Sequence, residues 1–482
     1  MTVTRLCCNI RPKAGGAACT VTYRSRTVVL KAVNPTTGET IREYEEMRPE
    51  EVGRIVEAAH EAFLAWRKSG FSQRTGLMKN AARILRENRD EYARLMAREM
   101  GKPVRDGRAE VEKCSWACDY YAENAERFLQ PETVGTEASQ SFVAFEPLGV
   151  VLAVMPWNFP FWQVFRFAVP AIMAGNTVVL KHASNVPGCA LEVEDVFHNA
   201  GFPDGIFRTL LVASEQVTRI IEHPLVKAAT VTGSTAAGRA VAARAGEMIK
   251  KTVLELGGSD PYVVLEDADL EAAVACCVAS RMTNGGQSCI AAKRLIVVEP
   301  LREQFEQLCV ERMGQEKMGD PLWEETTLGP MARHDLRDEL HRQVLQSIEK
   351  GARCIMGGQI PDSRGAFYPP TVLSNVAKGM PAYDEELFGP VAAVVPARDE
   401  EEAIRTANDS SFGLGAAVFT RDTARGKRIA TTELEAGCCF VNDLVRSDPR
   451  LPFGGVKDSG YGRELSHYGI KEFVNIKTVY VR

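Results

Sequence analysis

The sequence predicts an α/β fold with two doubly wound lobes, in which parallel sheets carry helices on both faces. Three observations support this fold class. The chain has 482 residues, 45% of them hydrophobic, which is enough for two or three domains with buried cores. Residues 48–128 have apolar side chains at helical spacing. From Ser141 onward, short continuous apolar runs alternate with helical segments, which is the pattern of buried parallel strands.

The helical part begins with two helices between residues 48 and 101. Pro49 opens the first and Gly70 ends it, and the second is expected over residues 72–100. A third helix is expected over residues 104–128 because its apolar positions keep the same period. This region therefore predicts a helical scaffold.

Strands and helices alternate in the remainder of the chain, in two stretches. The first has strands at 177–181, 207–211 and 228–231 and helices at 187–200 and 215–222. The second, over residues 261–441, has strands at 262–265, 294–298, 392–395 and 416–419. The final residues, 476–482, alternate like an edge strand, which is too short to be stable alone and needs a pairing partner.

The charge distribution excludes two classes of partner. There are 58 basic and 63 acidic residues, a formal net charge of -5, and the two signs are interspersed. Such a surface favours neither nucleic acid nor an anionic membrane. The longest apolar runs, such as residues 149–155, are far shorter than the roughly 20 residues that a spanning helix needs. We expect a soluble protein.

Cysteine usage indicates a reducing compartment, and we expect a cytoplasmic protein. Thirteen cysteines is an odd number, and no CxxC metal spacing occurs, so no metal site is expected. Several cysteines are neighbours in sequence and are poor disulfide partners for each other. These pairs are Cys7 and Cys8, Cys276 and Cys277, and Cys438 and Cys439.

The N-terminal segment superficially resembles a transit peptide, since residues 1–38 contain six basic residues and no acidic one. Pro12 and the Gly15-Gly16 pair would interrupt an amphipathic helix. We therefore expect residues 1–30 to form a poorly ordered extension.

One thiol stands in an unusual context, the segment Asn284-Gly285-Gly286-Gln287-Ser288-Cys289. If the small residues after Cys289 begin a helix, the helix dipole would lower the thiol pKa, and the backbone N–H of Cys289 could donate to an oxyanion. Cys289 is on this basis a candidate nucleophile, although most buried cysteines only pack.

Four further motifs have little specificity individually but are specific in combination. They are Glu255-Leu256-Gly257-Gly258, Pro156-Trp157-Asn158-Phe159-Pro160, Gly233-Ser234-Thr235 with Gly238, and Glu386-Leu387-Phe388-Gly389-Pro390. In this order and spacing, together with Cys289, they resemble the aldehyde dehydrogenase superfamily. The resemblance covers essentially everything from Val33 to Arg482.

The resemblance implies an aldehyde dehydrogenase-like fold with a small β arm for oligomerisation beside the two lobes. Residues 31–126 and 148–255 would form the cofactor-binding domain, and 256–452 the catalytic domain. Residues 127–147 and 465–482 would form the arm, which would join copies of the chain into a homodimer or homotetramer.

The resemblance also assigns catalytic roles. Cys289 would add to the carbonyl carbon of an aldehyde substrate, and Asn158 would donate to the resulting oxyanion. Hydride transfer to an oxidised nicotinamide cofactor would leave a thioester on the cysteine. Glu255 would activate the water that hydrolyses this thioester, which requires partial burial and a pKa raised towards 7.

Cofactor binding is expected without a GxGxxG motif. By resemblance, Ser234 and the helix that follows it would hold the pyrophosphate, and Lys181 and Glu386 would reach the two riboses. The full set of expected cofactor residues is Trp157, Lys181, Ser184, Gly233, Ser234, Leu256, Glu386 and Phe388. At position 184 NAD-specific relatives often carry Glu, whereas a serine permits a 2'-phosphate, so NAD and NADP both remain open.

The substrate class follows from a closer likeness. Segments such as PWNFPFWQVFRFAVP and GRELSHYGIKEF resemble bacterial succinate-semialdehyde dehydrogenases, in particular the branch that prefers NAD. Arg166 and Ser447 match residues that bind the substrate carboxylate there. A second arginine of the better-known branch is replaced by Thr283, and neither Arg281 nor Arg446 can be assigned its role. We expect oxidation of succinate semialdehyde to succinate.

Three alternatives remain. A dehydrogenase of broader specificity for medium-chain or aromatic aldehydes would suit Trp162, Phe161 and Phe165 at the mouth of the site. A nucleotide-binding protein without turnover would keep the fold alone. A Cys-His hydrolase would need a histidine beside Cys289, and nothing in the sequence marks one.

Overall fold

The structure is a computed structural model that describes residues 29–482. Most of the expected N-terminal extension, residues 1–28, lies outside the described residues. The helices α1 to α15 are Pro49–Trp66, Phe71–Glu87, Arg89–Met100, Val104–Phe128, Trp162–Met173, Pro187–Asn199, Val217–Glu222, Thr235–Glu247, Leu270–Met282, Glu299–Met313, His334–Glu349, Pro381–Asp384, Glu400–Asn408, Thr423–Thr432 and Ser466–Gly469.

The helical scaffold is α1 to α4, and it differs from the sequence prediction at one place. Helix α4 has the bounds predicted for it, whereas the single helix predicted over 72–100 is two helices, α2 and α3, that meet at Asn88. Asn88 leaves the helical conformation, and its side-chain amide donates to the carbonyl of Ile84 at 3.0 Å. Asparagine competes in this way with main-chain hydrogen bonding, which breaks the helix.

Within residues 29–482, twenty strands form five sheets. The strands β1 to β20 are Val29–Val33, Thr40–Glu45, Glu132–Thr133, Gln140–Pro147, Val150–Met155, Thr177–His182, Phe207–Thr209, Val226–Thr232, Lys251–Glu255, Pro261–Val264, Arg294–Val298, Arg353–Met356, Thr371–Ser374, Val391–Ala397, Phe412–Gly413, Gly415–Phe419, Cys438–Val441, Val456–Lys457, Gly460–Tyr461 and Val474–Val481. Two large sheets form the lobes, and the two-stranded sheets β1-β2 and β15-β18 are peripheral.

The first large sheet has the order β19-β9-β8-β5-β6-β7, and all its neighbours are parallel except β19 and β9. Side chains of β5 alternate between two hydrophobic clusters, with Val151 in one and Leu152 in the other. Both faces are therefore covered. The chain passes from β5 to β6 on one side and returns to β8 on the other, so the carboxyl ends of these strands border the crevice where doubly wound sheets bind ligands.

The second large sheet has the order β12-β13-β14-β11-β10-β16-β17 and is parallel apart from β12. The chain enters it through residues 256–260, directly after β9 ends at Glu255. This short connection places the end of β9 beside the amino end of β10, and the site described below lies between the two sheets.

The third sheet is the arm, an antiparallel sheet in the order β20-β4-β3. Strand β20, the C-terminal edge strand expected from the sequence, pairs along its length with β4 of the same chain, from Val474 opposite Pro147 to Val481 opposite Gln140. Ile476 and Tyr480 are 63% and 55% exposed, so this sheet presents apolar side chains outward.

Within residues 29–482, no helix combines the length and the apolarity that crossing a bilayer requires. The same part of the chain contains no group of three or more His, Cys, Asp or Glu side chains arranged to hold a metal ion.

Candidate active site

A cavity of about 490 Å³ lies between the two large sheets. Its walls include Cys289 from the second lobe, Arg166 and Trp162 from α5, and Ser447 from the loop after β17. The volume is typical of a small-molecule site. The candidate nucleophile and both candidate substrate residues therefore share one cavity.

The aromatic lining differs from the sequence expectation. Trp162 lines the cavity, but Phe161 and Phe165 do not and are buried in the core. Phe165 stacks on Phe197 with ring centroids 5.3 Å apart, and Phe161 packs against Tyr92 at 5.0 Å. Phe161 directly precedes α5 and Phe165 lies within it, and because α5 is buried all round, the two rings point to different neighbours.

A strained loop holds Cys289. Asn284, Gly285 and Gly286 all have left-handed backbone conformations, with φ of 54°, 62° and 75°. A Cβ atom on Gly286 would lie 2.1 Å from the carbonyl oxygen of Gly389, so this position requires glycine for space as well as for conformation. Of the three residues, only Asn284 is strained by the left-handed conformation, and such backbone strain is common at functional sites.

Asn284 ties this loop to the one that carries Asn158. Its amide nitrogen donates to the carbonyl oxygens of Asn158 at 2.8 Å and Gln287 at 3.1 Å. The side-chain nitrogen of Asn158 donates to the same Gln287 carbonyl at 3.1 Å. A side-chain amide has two N–H groups, so one N–H of Asn158 stays free to donate to an oxyanion.

The helix expected after Cys289 does not form. Residues 287–293 make turns and irregular backbone instead. The ammonium of Lys293 donates to the carbonyl oxygens of Ser288 at 2.9 Å and Cys289 at 2.7 Å. The expected lowering of the thiol pKa is also wrong. Burial raises the pKa of Cys289 to about 12, although Arg166 and Lys293 act in the opposite direction.

Glu255 is buried at the end of β9, with 2% of its surface exposed. Neither carboxylate oxygen has a hydrogen-bond partner among the described residues. Burial raises its pKa well above the ordinary value, and the charge of Glu464 adds to the rise while Arg166 and Arg463 oppose it. The direction of this shift is the one that a general base working near neutral pH requires.

Arg166 is the common neighbour of these groups. Its guanidinium donates to the buried carboxylate of Glu464 and lies over the ring of Phe453, 4.7 Å from the centroid. Glu464, Glu255 and Cys289 all raise its pKa, which ends above the ordinary value despite burial. Arg166 therefore contributes positive charge at the cavity wall, but one buried carboxylate already shares that charge.

The expected pyrophosphate and ribose residues lie at the carboxyl edge of the first sheet. The hydroxyl of Ser234 caps α8 by accepting from the N–H of Ala237 at 3.3 Å, and the first turn of α8 contains no acidic residue. Lys181, near the end of β6, is 6% exposed, and its ammonium donates to the hydroxyl of Ser214 at 3.3 Å. Among the described residues, no carboxylate lies within ion-pair distance of it. Ser184 is exposed two residues beyond β6.

The expected nicotinamide end is formed by other loops. Glu386 accepts from the N–H of Gly258 at 3.0 Å and lies 3.4 Å from Lys293. The rings of Trp157 and Phe388 meet edge to face at 5.7 Å. These features fit an anionic dinucleotide with two riboses. The N-terminus of α8 and the buried ammonium of Lys181 suit its negative charge, and the carboxylate of Glu386 can accept from a ribose hydroxyl at the other end. These residues would hold the cofactor when it is bound.

The sequence motifs assign no role to three buried charged side chains around the Cys289 loop and Arg166. Arg281 is buried, does not line the cavity, and donates to the carbonyl of Gly286 at 2.6 Å, so it supports the nucleophile loop. Lys293 anchors the same loop, and Glu464 pairs with Arg166 across the interior. Charged residues within apolar segments are a usable signal, since burial of a charge requires a partner.

Comparisons with known proteins agree with this arrangement. A sequence model described as the aldehyde dehydrogenase family matches residues 22–479. The chain is 49% identical over 454 residues to the probable succinate-semialdehyde dehydrogenase (NADP+) of Synechocystis sp., covering 94% of this chain and 100% of that protein. It is 47% identical over 449 residues to the succinate semialdehyde dehydrogenase (NAD(P)+) Sad of Escherichia coli, covering 93% and 97%.

A solved structure of a succinic semialdehyde dehydrogenase from Streptococcus pyogenes, in complex with NADP+, superimposes with a TM-score of 0.92. It is 37% identical to this chain and covers 94% of this chain and 99% of its own. The Synechocystis protein is named for NADP+, the E. coli protein for NAD(P)+, and the S. pyogenes structure contains NADP+.

Proposed function

This chain belongs to the aldehyde dehydrogenase family, and on that premise we propose that it oxidises succinate semialdehyde to succinate with NAD(P)+. The observation that carries the proposal is the shared cavity, in which Cys289 opens onto the same space as Arg166 and Ser447. A thiol beside basic and hydroxyl groups suits an aldehyde that carries a carboxylate at its other end.

The first step is addition of the Cys289 thiolate to the aldehyde carbon. A thiohemiacetal forms, and its oxyanion accepts from the free N–H of Asn158 and from the backbone N–H of Cys289. The Cys289 thiol must first lose its proton to solvent, and the positive charges of Arg166 and Lys293 favour the thiolate that results. NAD(P)+, when bound, supplies the hydride acceptor that turns the thiohemiacetal into a thioester.

The second step is hydrolysis of the thioester. The Glu255 carboxylate takes a proton from water, the hydroxide oxygen bonds to the acyl carbon, and the Cys289 sulfur leaves as thiolate. Burial raises the pKa of Glu255, which makes its carboxylate a stronger base once ionised. The products are succinate and the free thiolate, and the protons on Glu255 and on the new carboxyl group pass to solvent.

Cofactor selection is proposed to depend on position 184. An exposed serine there leaves a 2'-phosphate without a repelling carboxylate, in keeping with the NADP+ in the names of the relatives. NAD+ lacks only that phosphate, so the same residues hold both cofactors.

A second candidate function is oxidation of a broader range of uncharged aldehydes. Trp162, Phe159 and Phe453 line the cavity and give it apolar walls. An apolar wall discriminates weakly between substrates that differ by a methylene, by about 1–3 kcal/mol. Such an enzyme would show no dependence on a carboxylate in the substrate.

We also propose that the arm sheet joins two copies of the chain and that the protein works in the reducing cytoplasm. The exposed apolar side chains of β20 would be covered by a second copy. All ten cysteines among the described residues are free thiols, as a reducing compartment favours.

Initial rates of NADH or NADPH formation test the function. Succinate semialdehyde is compared with butanal, its analogue without the carboxylate, using the wild type and Cys289→Ala as the inactive control. We expect a preference for succinate semialdehyde of about 100-fold or more in kcat/KM. Equal rates on both aldehydes would favour the broader dehydrogenase, and no reduced cofactor with any aldehyde would contradict both functions.

A further inference from the structure

Among the described residues 29–482, one of the cations that line the cavity, Lys113, has no counter-ion. Five basic side chains line it: Lys102, Arg105, Lys113, Arg166 and Arg446. Four of them form ion pairs: Lys102 with Glu110, Arg105 with Asp106, Arg166 with Glu464, and Arg446 with Asp443. Within residues 29–482, Lys113 has no carboxylate within ion-pair distance. An ammonium that is partly removed from water without a counter-ion costs free energy, which a bound anion recovers.

Lys113 is part of a small hydrogen-bonded cluster with Ser447 and Trp162. Its ammonium nitrogen lies 2.8 Å from the hydroxyl oxygen of Ser447 and 4.4 Å from the centroid of the Trp162 ring. The indole N–H of Trp162 donates to the same hydroxyl oxygen at 3.1 Å. Helix α4 thus places the ammonium against α5 and the loop after β17.

The hydroxyl hydrogen of Ser447 has no acceptor in this cluster. A serine oxygen has two lone pairs and one hydrogen, and Lys113 and Trp162 both donate to the oxygen. The hydrogen must therefore point elsewhere, and no described residue accepts it. Only one of the three N–H groups of the Lys113 ammonium donates to Ser447. The cluster presents free donors and no acceptor, which is the complement of a carboxylate.

Resting on the proposed function, we propose that Lys113 is the residue that binds the substrate carboxylate, with Ser447 donating to the same group. Trp162 holds both donors in place through its N–H and its ring face. Arg166 contributes less to this contact because Glu464 already shares its charge. Lys113 thereby supplies the second cation that the sequence motifs leave unassigned and sets the preference for aldehydes with a terminal carboxylate.

The charges around Lys113 agree with this role. Burial and the neighbouring Arg166 lower its pKa to about 8, while Cys114, Glu110 and Asp448 act in the opposite direction. Most of the lysine is therefore charged at pH 7, and part of that charge is lost as the pH rises through 8. A bound carboxylate favours the charged form and raises the pKa again.

The test variant is Lys113→Met, and the control is Arg446→Gln. The control also removes a basic side chain from the cavity wall, but Arg446 is exposed and already paired with Asp443. We expect Lys113→Met to lower kcat/KM for succinate semialdehyde by about 50-fold or more, mainly through KM, with butanal changed by less than about threefold. Arg446→Gln should change neither substrate by more than about threefold. Equal losses on both aldehydes, or no loss on either, would overturn the proposal.

A second measurement on the wild type does not depend on the variant folding. The ratio of kcat/KM for succinate semialdehyde to that for butanal should fall as the pH is raised through about 8, because the ratio cancels groups that act on both substrates. A ratio that is constant from pH 6 to 10 would overturn the assignment to Lys113. If the wild type shows no preference for succinate semialdehyde at any pH, the proposed function itself fails. A preference that survives in Lys113→Met contradicts only the role of Lys113.

Discussion

The guanidinium of Arg166 donates to the carboxylate of Glu464, and the two side chains are buried together at 2% and 3% exposure. The pair joins α5 to the segment just before α15, almost 300 residues later in the chain. Its members act in opposite directions on the pKa of Glu255, which Glu464 raises and Arg166 lowers. Changing one partner therefore alters the proposed general base as well as the pair.

Glu464→Gln should lower the pKa of Glu255 and thereby shift the acidic limb of the kcat profile to lower pH. The variant removes the negative charge that raises the Glu255 pKa and leaves the charge of Arg166 unshared, and both changes lower that pKa. Since hydrolysis needs ionised Glu255, the acidic limb of kcat shifts to lower pH in a profile from pH 5 to 9. Glu464→Asp keeps the charge and serves as the control. An acidic limb that stays in place or moves to higher pH contradicts the coupling.

Glu255→Gln should separate the two chemical steps. Without a base, the thioester on Cys289 forms but is not hydrolysed, so we expect a burst of reduced cofactor of about one equivalent per site. The steady-state rate should then fall by about 100-fold or more. Stopped-flow absorbance at 340 nm measures both phases. A variant with a normal steady-state rate would show that Glu255 is not the base.

Alkylation of Cys289 should be slow at neutral pH in the absence of cofactor. With its pKa raised to about 12 by burial, the thiolate fraction, and with it the alkylation rate, rises about tenfold for each pH unit between 7 and 9. Mass spectrometry after iodoacetamide treatment follows the Cys289 peptide, with the exposed Cys354 as an internal comparison. A rate that levels off below pH 8 would indicate a thiol activated in the free enzyme.

Gly286→Ala should destabilise the protein by about 3 kcal/mol or more, because alanine disfavours the left-handed backbone and its Cβ would meet the Gly389 carbonyl. Gly246→Ala, in α8 with open space around its Cβ position, should instead stabilise by about 0.5–1 kcal/mol. Urea unfolding measures both. A Gly286→Ala protein as stable as the wild type would refute the close approach.

Ser184→Glu should discriminate between the two cofactors. A carboxylate at this position repels a 2'-phosphate and can accept from ribose hydroxyls. We expect kcat/KM with NADP+ to fall by about tenfold or more while that with NAD+ changes by less than about threefold. Ser184→Gln, similar in size and uncharged, is the matched control. Equal losses with both cofactors would place position 184 outside the ribose site.

Much of the fold was predictable, because the spacing of apolar residues and the turn residues between segments determine helices and strands locally. Helix α4 has its predicted bounds, as does strand β11, since both have uninterrupted apolar patterns. The break at Asn88 was not foreseen because one side-chain hydrogen bond decided it. The irregular backbone after Cys289 depends on the Lys293 ammonium, which a local pattern favouring a helix does not reveal.

The candidate site was predictable in its membership rather than in its electrostatics. Cys289, Arg166 and Ser447, which the sequence motifs singled out, line one cavity in the structure. The raised pKa of the thiol, the pairing of Arg166 with Glu464 and the unpaired Lys113 all result from contacts between distant segments. Such contacts determine desolvation and charge pairing, and no residue type or spacing encodes them.

The side chain of Asn284 has a mechanical consequence for the two lobes. Through its bond to the carbonyl of Asn158 it links segments 126 residues apart, one following β5 of the first sheet and the other preceding β11 of the second. The distance between nucleophile and oxyanion donor is thus fixed inside a single hydrogen-bonded unit. A relative rotation of the two sheets that moved the thiol away from the amide would have to break this hydrogen bond.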